Sequence, residues 1–226
     1  MAYTRPAVSL SADAPDETQG AVNMPPVPTL FFDVGGVLLT NAWDTGARKK
    51  AAETFGFDYA EFQTRHEMLK TAFETGRLGL DAYLQKTVFH RKRSFSPADF
   101  QAFMFQQSQP IGETLEWVRS LARSGNCRLF TLNNESQELH EYRVRTFHLD
   151  SIFQGFLTSC YLGQVKPDEG IYLSALGIAA CDRENAIFID DRALNVEPAL
   201  ALGLHAVQFQ GLDHLRSYLK ENGVSD

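Results

Sequence analysis

The amino-acid sequence predicts an α/β fold: a Rossmann-like parallel sheet with helices on both faces and an all-helical subdomain inserted after the first strand. Two observations predict this class. Short apolar runs alternate with helical patterns from about residue 110 to the C-terminus, which is typical of a parallel sheet covered by helices. The first apolar run is separated from the others by residues 42–109, which carry little strand signal.

The first strand is predicted at Thr29–Val34, because this short apolar run is followed at once by the chain-breaking pair Gly35-Gly36. The next segment predicts several consecutive helices, since its apolar residues recur at helical spacing, as they do between Tyr59 and Phe73. The last of these helices is predicted to begin at Ser96-Pro97, where Ser suits the N-cap and Pro the first helical position.

Beyond Pro110 the sequence predicts five helices and four strands in alternation. The helices are expected near residues 112–124, 136–147, 168–176 and 195–202 and from residue 212 onward; the strands are expected near residues 127–132, 155–158, 186–190 and 204–209. Three glycines stand where glycine commonly ends a helix: Gly125, Gly177 and Gly203.

The predicted organisation has three parts. Residues 29–41 and 110–226 form the α/β core, and residues 42–109 form the helical insert. Residues 1–28 are rich in proline and small polar residues and lack hydrophobic periodicity, so they are predicted to be a flexible N-terminal tail.

Composition excludes several classes of protein. The chain has 226 residues, of which 44% are hydrophobic, and no apolar run approaches the roughly 18 residues of a membrane-spanning helix. A net charge of −7 argues against nucleic acid as a partner. The three cysteines are widely spaced, odd in number and typical of a reducing compartment. The N-terminal segment has one arginine and no apolar run, so it is not expected to be a secretion signal. We therefore expect a cytoplasmic protein.

Polar residues stand at the ends of four predicted strands or in the loop that follows. They are Asp33, Asn133-Asn134, Lys166 and Asp190-Asp191. Each has an ordinary explanation as a turn residue or a helix cap. In parallel sheets, however, ligands gather at the carboxyl ends of the strands, and four polar ends at one edge indicate a ligand site.

Four segments resemble the motifs of the haloacid dehalogenase-like (HAD) hydrolase superfamily, and the resemblance covers nearly all of Leu30 to Phe209. They are Phe31–Leu38, Thr131–Ser136, Gly163–Asp168, and Phe188–Arg192 with Asn195. Each motif is weak alone, but the four in this order are specific. The helical insert resembles the cap of the subgroup that contains sugar-phosphate phosphatases and the N-terminal phosphatase domain of epoxide hydrolases.

The resemblance implies a Mg²⁺-dependent phosphatase that acts on a small phosphorylated metabolite through an aspartyl-phosphate at Asp33. A carboxylate approaches a phosphate dianion only when positive charge compensates for their repulsion. Lys166 would supply part of that charge and Mg²⁺ the rest. The implied metal ligands are Asp33, the backbone carbonyl of Gly35, Asp190 and Asp191.

The resemblance also implies roles for residues around the phosphate. The residues implied for phosphate binding are Gly36, Asn133, Asn134 and Lys166. Thr131 and Asn195 are implied to support the site, and Trp43 and Arg77 to contact the substrate. The family has Ser or Thr at the second motif, where this chain has Asn133. An amide can donate to phosphate as a hydroxyl does, and Thr131 is the alternative donor in a shifted register.

The first motif departs from the family pattern in its proton donor. Family phosphatases usually carry a second Asp two residues after the nucleophile, and this position is Gly35 here. Losing a positioned general acid typically costs about 10²–10⁴ in rate. Three outcomes stay open: a phosphatase for substrates with good leaving groups, one whose acid comes from His66, His90 or Glu135, or a weak or inactive relative that binds a phosphorylated metabolite or a protein.

Two further alternatives concern the acidic pair Asp190-Asp191. Without a metal the pair would be a helix N-cap, but adjacent carboxylates repel each other unless a cation compensates them. The dehalogenases of the same superfamily attack carbon, use no metal and lack the full acidic pair, so the pair favours phosphoryl transfer. The expected partner is a small phosphorylated substrate, with no nucleic acid and no membrane, and the oligomeric state is not predicted.

Overall fold

A computed structural model describes residues 27–224, so the predicted flexible tail of residues 1–28 lies almost wholly outside the described residues. The described chain forms one sheet of five parallel strands in the order β3-β2-β1-β4-β5. The strands are β1 (Thr29–Phe32), β2 (Arg128–Asn133), β3 (Gly155–Thr158), β4 (Ala186–Asp190) and β5 (His205–Gln208). The predicted fold class is confirmed.

Five helices lie between β1 and β2, and the first four fall within residues 42–109: α1 (Thr45–Phe55), α2 (Tyr59–Glu74), α3 (Leu80–Thr87) and α4 (Pro97–Gln106). The other helices are α5 (Thr114–Ser124), α6 (Gln137–Phe147), α7 (Ser159–Leu162), α8 (Glu169–Ala179), α9 (Ala193–Ala201) and α10 (Leu212–Glu221). No helix among residues 27–224 is both long enough and apolar enough to cross a membrane.

The register of the central strands determines where the site forms. Phe32 at the end of β1 is level with Thr131 of β2 on one side and Ile189 of β4 on the other. Because all strands run in the same direction, the residues that follow these positions meet at one edge of the sheet. After β3 the chain crosses to the other side of β1 to form β4, and ligands bind at such crossover points.

Alternation along β1 fills two separate core layers. Leu30 and Phe32 belong to the layer on one face of the sheet, whereas Phe31 packs into the layer on the opposite face. The apolar character of all three residues follows from this, because a strand buried on both faces needs apolar side chains in succession.

Helices α1–α4 pack around a third apolar cluster, separate from the two layers of the sheet. Aromatic rings dominate it, and Trp43 packs edge-on against Phe62 and Phe100. At the start of α4 the Ser96 hydroxyl accepts from the amide of Asp99 (3.1 Å), and the Asp99 carboxylate accepts from the amide of Ser96 (3.1 Å). The predicted start of this helix is confirmed, with a capping box.

The structure corrects one predicted helix end and adds one helix. Gly177 lies inside α8, which continues to Ala179 and ends at Ala180 in the left-handed conformation (φ 45°), so Gly177 does not end a helix. The short helix α7 was not expected, because four residues are too few to show a helical period.

Candidate active site

Asp33 lies directly after β1, at the floor of a cavity of about 490 Å³ between the sheet edge and the helical insert. Its backbone amide donates to the carbonyl of Ile189 (2.8 Å), which extends the β1–β4 pairing by one residue. The amide of Val34 donates to its Oδ1 (2.9 Å). The carboxylate is therefore held at a fixed position where the cavity meets the sheet.

Lys166 joins the first and last motifs. Its Nζ lies 3.1 Å from Asp33 Oδ1 and 2.6 Å from Asp190 Oδ2, and it donates to the carbonyl of Leu132 (2.8 Å). Asn195 Nδ2 donates to both oxygens of Asp190 (3.0 and 3.1 Å), and the amide of Arg192 donates to Oδ1 (2.9 Å). Both oxygens of Asp190 are therefore engaged, and Oδ2 holds Lys166 beside Asp33.

Burial raises the pKa of Asp33 to about 7; the nearby charge of Lys166 lowers it, while Asp190 and Asp191 raise it further. Burial alone would lower the pKa of Lys166, but Asp33 and Asp190 outweigh that effect and raise it. The three carboxylates have one buried cation, Lys166, and one exposed cation, Arg192, whose Nε lies 3.9 Å from Asp191 Oδ1, so the buried group is short of positive charge. A further cation beside Asp33 would stabilise its anionic form.

The acidic cluster fits a divalent cation. Asp33, Asp190 and Asp191 each offer an oxygen, and these atoms lie within 4.8 Å of one another. Asp191 Oδ1 is buried and has no hydrogen-bond partner among the described residues, whereas both oxygens of Asp190 are engaged. Oxygen ligands of this kind suit a hard ion such as Mg²⁺. The atoms most available to a metal are those of Asp33 and Asp191.

Glycine at position 36 permits the close approach of Asp191. Gly36 has a positive φ (78°), and a Cβ there would lie 2.1 Å from Asp191 Oδ2. Its amide donates to the carbonyl of Leu39 (2.7 Å) in the turn after β1. Gly36, which the resemblance assigned to phosphate binding, thus uses its amide in the turn and makes room for Asp191.

Asn41 occupies the space beside Gly35, where the family acid would stand. A Cβ on Gly35 would lie 2.7 Å from Asn41 Oδ1, and Asn41 Nδ2 donates to Asp191 Oδ2 (3.3 Å). Sequence reasoning missed Asn41, because its contact with Asp191 joins residues 150 positions apart. Gly35 itself lines the cavity, where the sequence placed its carbonyl as a metal ligand.

The two asparagines of the second motif make different contacts. Asn133 lines the cavity; its Nδ2 donates to Glu135 Oε2 (3.2 Å) and its Oδ1 accepts from Thr158 (3.3 Å). Asn134 makes two 2.8 Å hydrogen bonds to the backbone of Lys166, so its side chain positions the lysine loop. The predicted support residue Thr131 is fully buried, and its hydroxyl has no hydrogen-bond partner among the described residues.

The predicted substrate contacts divide between the cavity and the surface. Trp43 lines the cavity, and its indole N–H donates to the hydroxyl of Tyr83 (3.0 Å). Arg77 is exposed and is not among the described residues that line the cavity. His90, one candidate for a substitute acid, pairs with Glu61 (3.0 Å) and is likewise absent from the described cavity wall. The structure therefore brings Trp43 to the site but not Arg77 or His90.

Glu135, another candidate acid, lines the cavity but is held in an ion pair with Arg143 (2.6 Å). Arg143 also donates to the carbonyl of Thr40 (2.7 Å) and the hydroxyl of Ser108 (3.1 Å), which lie where the chain enters and leaves the helical insert. Sequence reasoning missed Arg143. The available signal was its spacing four residues after Leu139, which places a charged residue on the buried face of α6.

An aspartate at the end of the central strand, with a lysine and two further aspartates beside it, agrees with the class of hydrolases that the four motifs resemble. The family model of the haloacid dehalogenase-like hydrolases matches residues 27–203. The chain therefore belongs to the haloacid dehalogenase-like hydrolases.

Comparisons with individual proteins give the following similarities. Flavin mononucleotide hydrolase 1 of Arabidopsis thaliana, named as a chloroplast protein, is 24% identical over 201 residues, which cover 88% of this chain and 79% of that protein. The HAD family enzyme BT-2542 of Bacteroides thetaiotaomicron, solved with magnesium and inorganic phosphate, superposes with a TM-score of 0.71 at 20% identity, covering 84% of this chain and 99% of that chain. An L-2-haloacid dehalogenase superposes with a TM-score of 0.58 at 18% identity, covering 81% and 85%.

Proposed function

We propose that this hydrolase is a Mg²⁺-dependent phosphatase that acts on a small phosphorylated metabolite through an aspartyl-phosphate at Asp33. The observation that carries the proposal is the convergence of Asp33 and Lys166, which both line the cavity, with Asp191, whose carboxylate oxygen lies within 4.8 Å of that of Asp33. The names of the relatives support it, since one is a flavin mononucleotide hydrolase and another binds magnesium with phosphate.

Each residue of the sheet edge has a distinct role in this proposal. Asp33 attacks phosphorus, and Lys166 holds Asp33 in place while placing its charge beside the phosphate. Asn133 offers an amide at the cavity wall. Mg²⁺, held by Asp33 and Asp191, would supply the positive charge that the transferring phosphoryl group needs. Asp190 acts by positioning Lys166.

We also propose that residues 42–109 act as a cap that selects substrates. The wall opposite Asp33 comes from α1 and α2, and a cavity of about 490 Å³ suits small substrates. A cytoplasmic location stays a prediction from the cysteines, which are all unpaired thiols in the described chain.

The lack of a side chain at Gly35 limits the range of substrates in this proposal. Glu135 is held by Arg143 at 2.6 Å, so its carboxylate is engaged in the wall. Esters with good leaving groups need little protonation of the leaving oxygen. We therefore expect an aryl phosphate to turn over faster than a primary alkyl phosphate.

The test is a phosphate-release assay on an aryl phosphate and a primary alkyl phosphate, with Mg²⁺ and with a chelator. We expect turnover that needs Mg²⁺, favours the aryl ester and falls at least about 10³-fold in Asp33→Asn. The matched control is Asp213→Asn, which changes an exposed aspartate at the start of α10.

Two results would contradict the proposal. If neither ester turns over in a folded, Mg²⁺-loaded protein, the chain is a binding protein and not a phosphatase. If chloride is released from a haloacid while phosphate esters are untouched, the dehalogenase alternative replaces it.

A further inference from the structure

The helical insert contributes a buried guanidinium whose hydrogen-bond partners are all neutral. Arg48 of α1 is 7% exposed and lines the same cavity as Asp33. Its Nε donates to Gln63 Oε1 (2.9 Å), its Nη2 to the hydroxyl of Thr45 (3.1 Å) and its Nη1 to the carbonyl of Trp43. These contacts orient the group but bring no negative charge to it.

Among the described residues, no carboxylate lies within 4.0 Å of Arg48. A guanidinium has five N–H groups, and three donate here, which leaves one on each terminal nitrogen. A buried charge without an opposite charge beside it is costly, and structures normally pair it. A missing partner at a cavity wall indicates a ligand, and two free N–H groups suit a carboxylate or a phosphate.

His66 of α2 provides a second unused donor in the same wall. The indole N–H of Trp43 can only donate, so the Tyr83 hydroxyl accepts from it (3.0 Å) and donates its own proton to His66 Nδ1 (2.8 Å). A neutral imidazole that accepts at Nδ1 carries its proton on Nε2. His66 Nε2 is buried and has no hydrogen-bond partner among the described residues.

Lys70 adds a second positive charge to this wall and makes no ion pair within 4.0 Å among residues 27–224. The wall also contains three acids, and two are engaged elsewhere. Asp44 Oδ1 caps α1 by accepting from the amide of Ala47 (2.8 Å), and Glu67 Oε1 accepts from Gln63 (2.6 Å). For the third acid, Glu74, burial raises the pKa, while the nearby charges of Lys70, Arg192 and Arg48 lower it; its carboxylate lies more than 4.0 Å from each of these cations.

We propose that Arg48, with His66 and Lys70, forms a second anion-binding subsite, and that the substrate carries an additional carboxylate or phosphate besides the phosphoryl group at Asp33. The identity of the transferred group rests on the proposed phosphatase function. The subsite itself rests only on the unpaired donors of α1 and α2.

The test uses two ligands that differ mainly at the distal group: 3-phosphoglycerate, which has a carboxylate, and glycerol 3-phosphate, which has none. Binding is measured by calorimetry on Asp33→Asn with Mg²⁺, so no turnover is needed. We expect 3-phosphoglycerate to bind at least tenfold tighter. Net charge cannot explain such a preference, because the chain carries −7 and repels the more anionic ligand.

Arg48→Met in the Asp33→Asn background is expected to remove this preference, and Arg48→Lys to retain part of it. Arg91→Met changes an exposed arginine on the insert surface and should retain the preference in full. Equal affinities of the two ligands in Asp33→Asn, or equal losses for both in Arg48→Met, would overturn the subsite. The comparison of the two ligands in Asp33→Asn alone does not require an Arg48 variant to fold.

The same ligands separate the subsite from the phosphatase proposal. Aryl phosphate turnover without any preference for 3-phosphoglycerate would overturn the subsite and retain the phosphatase. A preference for 3-phosphoglycerate with no turnover of any ester would retain the subsite and overturn the phosphatase.

Discussion

Buried positive charges are paired differently on the two walls of the cavity, one formed by the sheet edge and the other by the helical insert. On the sheet side, Lys166 and Arg143 are paired with carboxylates at 2.6–3.1 Å. On the insert side, Arg48 has only neutral partners. The buried cations of the sheet side therefore already have opposite charges beside them. On the insert side Arg48 lacks a negatively charged partner, and the proposed substrate would provide one.

Arg143→Met should have the largest effect, because it breaks the pairing of the sheet wall. Removing one member of a buried ion pair leaves the other charge uncompensated, and such changes cost about 3–5 kcal/mol. The change leaves Glu135 buried and also removes bonds to both connections of the insert. Denaturant unfolding would measure the loss.

The matched variant on the other wall is Arg48→Met. It leaves no carboxylate unpaired, so we expect a clearly smaller loss of stability than in Arg143→Met. The double variant Glu135→Gln with Arg143→Met should recover part of the loss, since no lone charge remains. Equal losses in Arg143→Met and Arg48→Met would show that the two walls do not differ in this way.

Lys166→Met should lower kcat on the aryl phosphate about 10²–10³-fold, the typical cost of removing one group that stabilises transition-state charge. KM should change much less, because in the proposed mechanism Lys166 acts mainly on Asp33 and the transferring phosphoryl group. Lys220→Met, an exposed change on α10, is the control. A normal kcat in Lys166→Met would remove the lysine from the mechanism.

His66→Gln should change how stability depends on pH. Burial, together with Arg48 and Lys70, lowers the pKa of His66 from 6.5 to about 3. Between these values the unfolded chain takes up a proton that the folded chain does not, so stability falls on acidification. From pH 6.5 to pH 5 this amounts to about 1.6 kcal/mol that His66→Gln should no longer lose.

The measurement is the difference in unfolding free energy between pH 6.5 and pH 5. Absolute stability also changes when the bond to Tyr83 is lost, so only the pH dependence is compared. His214→Gln, an exposed change on α10, serves as the control. An unchanged pH dependence in His66→Gln would show that His66 is not held neutral.

The sheet side of the site was largely accessible from the sequence, and the insert side was not. Asp33 and Asp190 each follow an apolar run, and parallel strands place such residues together. Asn41 and Arg143 act through partners 150 and 103 positions away, which no local pattern records. The role of Arg48 depends on which partners are absent, and this is visible only once the fold has placed its neighbours.

The smallest effect is expected from restoring the family acid. Gly35→Asp introduces a Cβ 2.7 Å from Asn41 Oδ1, so Asn41 must move and its bond to Asp191 is lost. We therefore expect less than about a threefold gain on the alkyl phosphate from Gly35→Asp alone. In the double variant Gly35→Asp with Asn41→Ala this space is free. We expect its turnover of the alkyl phosphate to rise by up to about tenfold, which is a modest part of the usual effect of a general acid. Asn41→Ala alone is the control, and a full gain in Gly35→Asp alone would show that Asn41 does not block the acid position.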